Sequence, residues 1–590
     1  MPVTARPTIV FFVFAFAVLL GDALDGRPLL IDNDDLIRFL QIRDLVQDNA
    51  LFDLRLPFIS MPEAYVSHYS RIVDLPYYLL AAALQPLLGL EQSVTVASWL
   101  IPPVLLVPFG LLALQVARRL GGGSLGWLEA GVTALAVTGA ILEFSPQRID
   151  HHNVQIVLMM AMMAAMIAPT VPGGIMAGAS AAISVAVGLE CLPLVAAGLA
   201  GLALAAVFDA DDARRKLQVA GLSLAIAAAP VALVSFGPSV LWTTYCDTVS
   251  EPWLLALIVG GGLCAVVPMA WRIPQFKGAG RGTAWRMASL SIPGLVLVVA
   301  LAKAYPECAI GHYEVVDALS RRLWLDTIGQ EKTILYQFAT GRWAHLFFTI
   351  LWAFLLIVTV PAIVQTVRAG QYAPAIIHGM ALTAFVVFLM LERSTRISST
   401  LIGILIPLAL TALRGDAVRG ERPRSANWWL GGSLAVPAVV AGTAYLAVPK
   451  TPLVFTVADQ LFVDGCKPFD TSVLNEVAPS RIMAPFGVAA NIMRNYPQHA
   501  VATFTLHRAA PGMHRMFVAF TSNDPTARAE ALAPFDYLAV CARDVGFPGM
   551  DDFPLFAALV HGESVPGLIP VEPERDSTFK LYRIDHSAMH

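Results

Sequence analysis

Residues 144–153 read FSPQRIDHHN, a short polar run between two apolar segments, 125–143 and 153–169. Each segment is about long enough to cross the bilayer core, so the run reads as the loop of a membrane-embedded helical hairpin. Arg148, Asp150, His151 and His152 put four groups able to hold a metal or a phosphate at the mouth of a helix. The whole chain agrees with a membrane reading. Of 590 residues, 57% are hydrophobic and only 14% charged, with a mean hydropathy of +0.66, whereas soluble domains carry about a quarter charged residues. This excludes a soluble enzyme and a disordered chain, and a net charge of −4 offers nothing to nucleic acid.

Outward from that hairpin, thirteen apolar spans are expected, near 8–24, 95–117, 125–143, 153–169, 171–188, 191–208, 217–236, 252–271, 287–304, 345–367, 374–391, 397–413 and 428–448. Segment 75–91 reads as a helix lying at the interface, because a full span there would invert everything after it. No small-x-small site follows the first span, so it reads as an uncleaved anchor. After Pro449 short mixed runs appear, such as Val501–Phe504 and Tyr537–Val540, the pattern of a small α/β domain. The expected fold is thus an all-α polytopic membrane domain, 1–448, followed by a C-terminal α/β domain, 449–590.

Charge sets the orientation. With thirteen spans, Arg118-Arg119, Arg214-Arg215-Lys216, the loop from Arg272 to Arg286, Arg368 and the loop from Arg414 to Arg424 fall on one side with Arg6. The positive-inside rule makes that side the cytoplasm. The opposite side receives loops 25–94, 144–152 and 305–344 and the whole tail. The expected location is a bacterial inner membrane with the tail in the periplasm.

Those outer loops hold the chemistry. The first contains IDNDDLIRFLQIRD, with Asp34 and Asp35, and then HYSRIVDLP, with His68, Arg71 and Asp74. In the second, Asp150 and His152 at i and i+2 could ligate one hard cation on extended backbone, and Arg148 could fork onto a phosphate oxygen. An Asp150 helix cap is the alternative. Glu190 falls between two apolar segments, where an ionisable residue suggests function. The loop 305–344 carries Glu307, His312 and Glu331, and its apolar residues Val315, Leu319, Leu323 and Ile328 suggest an interfacial amphipathic helix. Arg393 and Arg396 lie on an outer turn against the positive-inside bias, which makes them candidates for a phosphate. His507-Arg508 reads as the cap of a strand rather than part of the site.

Together these features resemble the GT-C superfamily, integral-membrane glycosyltransferases that use polyprenyl-phosphate-linked sugars. The similarity is to the catalytic subunit of oligosaccharyltransferase, in which an N-D pair is followed about ten residues later by Arg-Asp, as Asn33-Asp34 is by Arg43-Asp44. The second loop of that family has an Arg and then an Asp-x-acid pair, matched by Arg148, Asp150 and His152, with His152 replacing the second acid. The WWDYG signature is absent, since Trp428-Trp429 is followed by Leu-Gly, and the tail is too small for the usual peptide pocket. The resemblance therefore implies transfer to a lipid, a polysaccharide or another periplasmic acceptor rather than to a protein, by inverting displacement. It implies Asp34 as base or metal-orienting acid, with Asp35 as a second candidate and Asp150 beside them. It further implies a divalent cation (Mg or Mn) at Asp34, Asp150 and His152, and a phosphate clamp of Arg148, Arg393 and Arg396. Expected partners are the lipid-linked sugar, the acceptor and membrane lipids.

The rival class is a transporter of a lipid-linked or small anionic substrate. Transporters carry broken helices and sites near the midplane, whereas the ionisable residues here cluster at outer helix ends. Of the six cysteines, Cys191 and Cys264 read as packing residues, and Cys246, Cys308, Cys466 and Cys541 fall outside. A Cys466–Cys541 disulfide is expected within the tail; by loop entropy it would contribute about 4 kcal/mol.

Overall fold

The computed structural model describes residues 5–25, 33–208, 211–271, 282–311, 313–342, 344–414, 439, 443, 471–541, 552–571 and 578–589. Nine helices among them are long and apolar enough to cross a membrane, or eleven if each of two bent pairs is one span. The thirteen expected spans differ from this for local reasons. Segment 125–143 divides into two helices, Trp127–Ala136 and Thr138–Ile141, where the Thr138 hydroxyl bonds back to the Leu135 carbonyl at 2.8 Å, a bond that bends helices. Segment 397–413 divides into two helices, Thr395–Gly403 and Ile406–Arg414, ahead of Pro407, which has no N–H to continue a ladder. The two breaks face each other, for a Cβ on Gly403 would stand 2.9 Å from the Val137 side chain. Segment 153–169 is a shorter apolar helix, His152–Ile167, stopped by Pro169. Segment 428–448 lies outside the described residues.

Helix Ala5–Leu24 packs through Phe11, Ala15 and Leu19, with the Phe11 and Phe109 rings 6.4 Å apart. Elsewhere small residues let backbones approach, as in membrane helix pairs generally. A Cβ on Gly178 would run into the Ala220 carbonyl of the neighbouring helix. The expected interfacial segment is helix Arg71–Leu88, which buries Val73, Tyr77 and Ala81 at four-residue spacing and is not among the candidate spans.

Outside the apolar bundle, the first loop is folded rather than solvated. Helix Asn33–Asp48 is polar in sequence yet buried from Asp35 to Arg43. It lies there because its charges are paired. Three side chains donate to the Asp74 carboxylate: Arg38 at 2.8 Å, Gln41 at 2.5 Å and Arg71 at 3.1 Å. Arg71 also bonds the Leu51 and Asp53 carbonyls. A hairpin follows, β1 (Arg55–Ser60) and β2 (Ala64–Val66). It joins a seven-stranded sheet of order β2-β1-β4-β3-β5-β7-β6, where β3 is Arg481–Met483, β4 Ala500–Val501, β5 Tyr537–Cys541, β6 Leu568–Val571 and β7 Phe579–Ile584. The junction is parallel, Ile59 against Val501. The strands of the tail are thus continued by residues near 60, so the first loop and the tail share one sheet and one buried cluster.

Loop 305–344 does not form the single amphipathic helix expected of it. It is a chain of short pieces, Pro306–Ile310, Ala318–Leu323 and Ile334–Ala339 with 3-10 turns between. Asp317 and Thr333 each cap a new start. Gly311, at a positive φ of 117°, interrupts the helical course. Val316, Trp324 and Leu325 are buried in the same cluster as the tail.

The structure pairs Cys246 with Cys308, two outer cysteines for which the sequence suggests no partner. Cys541 is disulfide-bonded, and its expected partner Cys466 lies outside the described residues. Cys191 and Cys264 are free.

Two measurements check this architecture. Removing Asp74 by Asp74→Ala leaves Arg38 and Arg71 buried without their carboxylate, a loss of about 3–5 kcal/mol. The variant should melt far below the wild type in detergent, and an unchanged melting temperature would mean that the buried pairs are incidental. Peptide mapping without reduction should recover a Cys246–Cys308 crosslink, closing a loop of 62 residues for about 4 kcal/mol by loop entropy. Two alkylated thiols there would contradict the fold of the outer loops.

Candidate functional site

Asp35 begins the site. It lies in the first turn of helix Asn33–Asp48, is fully buried, and reaches across to the second loop. Arg148 Nη1 donates to one of its oxygens at 2.6 Å and the Asp150 backbone N–H to the other at 2.9 Å. Arg148 also donates to Glu143 at 3.0 Å, and Arg396 lies 3.4 Å from that same Glu143 oxygen. Asp35 and Arg148 therefore fasten the two loops together. On sequence Asp35 is a catalytic candidate and Arg148 part of a phosphate clamp; in the structure each is engaged by the other loop, and neither lines the cavity described next.

A cavity of about 600 Å³ opens beside this fastening. Of the residues singled out from sequence, Asp34, His68, His151, His152, Glu190, Glu331, Arg393 and Arg396 line it. Asp150 lies just beneath the wall, 2% exposed. Its carboxylate takes the His151 Nδ1 contact at 2.6 Å and has His152 Nε2 at 3.1 Å. His152 Nδ1 in turn meets Glu190 at 2.9 Å, and Arg393 reaches Glu190 at 3.6 Å and Glu331 at 2.5 Å. The helix that starts here is capped by His151 with no side-chain cap bond, so Asp150 is not the N-cap.

Burial works against charge on His151, but the Asp150 and Glu190 carboxylates outweigh it and push the group up to about 10. Burial would raise Asp150 as well, yet the two imidazoles and Arg38 hold it well below the usual carboxylate range. Asp150, His151 and His152 each offer one ligand atom, all within 4.8 Å of one another. One carboxylate and two imidazoles form a mixed N/O set, which suits Mn or Zn better than Mg. This set differs from the one expected on sequence, which includes Asp34 and omits His151. Asp34 instead accepts the Tyr69 O–H at 2.6 Å.

The far wall comes from residues that the sequence places elsewhere or does not mark. His507 caps no strand; it lines the cavity. Its Nε2 meets Asp247 at 2.6 Å, and Arg508 forks onto the same carboxylate with two contacts of 2.6 Å. Burial would raise Asp247, but these partners hold it below the usual carboxylate range. His68 accompanies them, with its ring 4.6 Å from that of His507; burial, His507 and Arg508 keep it well below the usual histidine range. Arg71 belongs to the buried Asp74 network rather than the cavity. Glu307 is on helix Pro306–Ile310, outside the cavity wall, and His312 lies outside the described residues. Tyr69 and Asp247 leave no local signal, because each finds its partner far along the chain, whereas Glu331 belongs to the loop 305–344 marked from the sequence. His151 is legible within DHHN itself.

No family profile matches the sequence, and no curated relative matches it. Solved structures do. The archaeal oligosaccharyltransferase AglB from Archaeoglobus fulgidus, in complex with an inhibitory peptide and a dolichol-phosphate, aligns at a TM-score of 0.65 and 12% identity over 98% of this chain and 74% of that one. The same organism's enzyme tethered to an acceptor peptide aligns at 0.61 and 13% identity, over 97% and 73%. Its complex with Zn and sulfate aligns at 0.58 and 11%, over 96% and 72%. Along most of its length the chain shares the fold of that archaeal oligosaccharyltransferase.

Proposed function

We propose that this protein is a membrane glycosyltransferase that moves a sugar from a polyprenyl-phosphate donor to a hydroxyl of a lipid or glycan at the outer face of a bacterial inner membrane. The observation that carries the proposal is the meeting, in one cavity of an oligosaccharyltransferase-like fold, of a carboxylate, an Asp-His-His cluster and two arginines. Asp34 faces the cavity with Tyr69 on its carboxylate. It takes the proton of the acceptor hydroxyl as that oxygen bonds to the anomeric carbon, and the bond from that carbon to the phosphate oxygen breaks with inversion. General-base help of this kind contributes about 10²–10⁴-fold.

Arg393 and Arg396 face the departing phosphate. Asp150, His151 and His152 would hold a divalent cation, which would add Lewis-acid support to the phosphate oxygens. Glu190 orients His152, and Glu331 ties loop 305–344 to Arg393 across the cavity. The C-terminal domain contributes His507 to the outer wall, on the periplasmic side, with Arg508 behind it on Asp247. The two bent helix pairs are a feature shared with transporters, but the ionisable groups gather at helix ends around the cavity rather than at those breaks, which favours transfer over transport.

The substrate for the test is the lipid-linked sugar that co-purifies with the protein, identified by mass spectrometry. Asp34→Asn should lower transfer at least about 100-fold with an unchanged melting temperature. Transfer within a factor of three of the wild type would remove the base. Arg393→Ala should raise the donor KM about tenfold or more, since a charged hydrogen bond to phosphate is lost. It should also speed proteolysis within loop 305–344, because the Glu331 tie goes with it; an unchanged KM would take Arg393 out of the clamp.

A further inference from the structure

Asp34 stands at the start of a helix, where a short carboxylate has several rotamers, and a base must be held in one of them. Tyr69 contributes to that. Its O–H donates to Asp34 at 2.6 Å, and its own ring is fixed on two sides. The His68 ring centroid lies 4.3 Å away, and the Arg38 guanidinium carbon stands 4.4 Å from the Tyr69 ring centroid. Arg38 is the more telling neighbour. It is fully buried, its Nη1 donates to Asp74, and its Nε and Nη2 have no hydrogen-bond partner among the described residues. A buried guanidinium with unused N–H groups is costly. The guanidinium carbon lies over the Tyr69 ring, and a desolvated cation over an aromatic face recovers part of that cost.

We infer that Tyr69, backed by Arg38, is a positioning residue for the reaction proposed above. The series Asp74, Arg38, Tyr69, Asp34 runs from the buried network of the first loop to the cavity, and it transmits that network's rigidity to the carboxylate that takes the acceptor proton. The inference rests on the proposed role of Asp34. Arginine suits this position better than lysine because one edge of a planar guanidinium can bond a carboxylate while its face covers a ring.

The test uses the full-length protein and the co-purifying lipid-linked sugar. Tyr69→Phe keeps the ring and its stacking and removes only the O–H. It should lower kcat about 10–100-fold, the range for a lost hydrogen bond to a charged group, with donor KM within twofold and the melting temperature unchanged. Arg38→Lys keeps a cation for Asp74 and loses the flat face; it should lower kcat about 5–30-fold and again spare KM. A kcat within twofold of wild type for Tyr69→Phe, with Asp34→Asn inactive, overturns the inference and leaves the function standing. A fall in kcat accompanied by a lower melting temperature and a raised KM makes Tyr69 a packing residue and overturns it equally. If Asp34→Asn itself remains active, the inference falls together with the role of Asp34.

Discussion

A carboxylate with no access to water must be answered within the protein, and the site of this protein is arranged around one such group. Asp35 is answered from 113 residues away by Arg148 and from 115 away by the Asp150 N–H. Because both partners belong to the second outer loop, satisfying this one buried charge fixes the register between the two loops. It turns Asp34 to the cavity side of its helix and sets the Asp-His-His cluster opposite. The same demand recurs outward, with Arg148 and Arg396 both meeting Glu143. The fastening thus reaches the late outer turn that carries the arginines.

The second constraint is the sheet. Its outer edge is a hairpin from the first loop and the rest comes from the tail, so the hairpin that leads to His68 and Tyr69 is held, through its first strand, by residues more than four hundred positions later. Arg508 repeats the link, forking onto Asp247 and approaching the carbonyls of Val66 and Ser67. The Cys246–Cys308 bond closes next to Asp247. Three outer loops and the tail therefore converge on one wall, which is why His507 faces the cavity instead of capping a strand.

Several features are legible in the residues alone. The apolar segments are long and sharply bounded, so twelve of the thirteen expected spans fall on described apolar helices, two of them bent pairs and one a shorter helix. The DHHN run concentrates ligating groups so tightly that a site there hardly depends on the fold. Arg393 and Arg396 stand out because they oppose the charge bias. Other features are not legible. Asp34 and Asp35 are adjacent and chemically alike, and nothing local says which faces the cavity and which the neighbouring loop. The apolar spacing across 315–328 is equally compatible with one helix and with several short ones. The two tail cysteines are expected to pair from their place in one domain, but nothing local joins Cys246 to Cys308.

The sequence by itself determined the solvent of the chain and where its chemistry gathers, because hydropathy and the clustering of ionisable residues are local properties that burial in a bilayer makes decisive. Only the tertiary structure decided the role of each ionisable residue. In a buried polar site a side chain's role is set by what satisfies it, and Asp35 meets Arg148, Asp74 meets Gln41 and Asp247 meets Arg508 across 33 to 261 positions, beyond the reach of any periodicity.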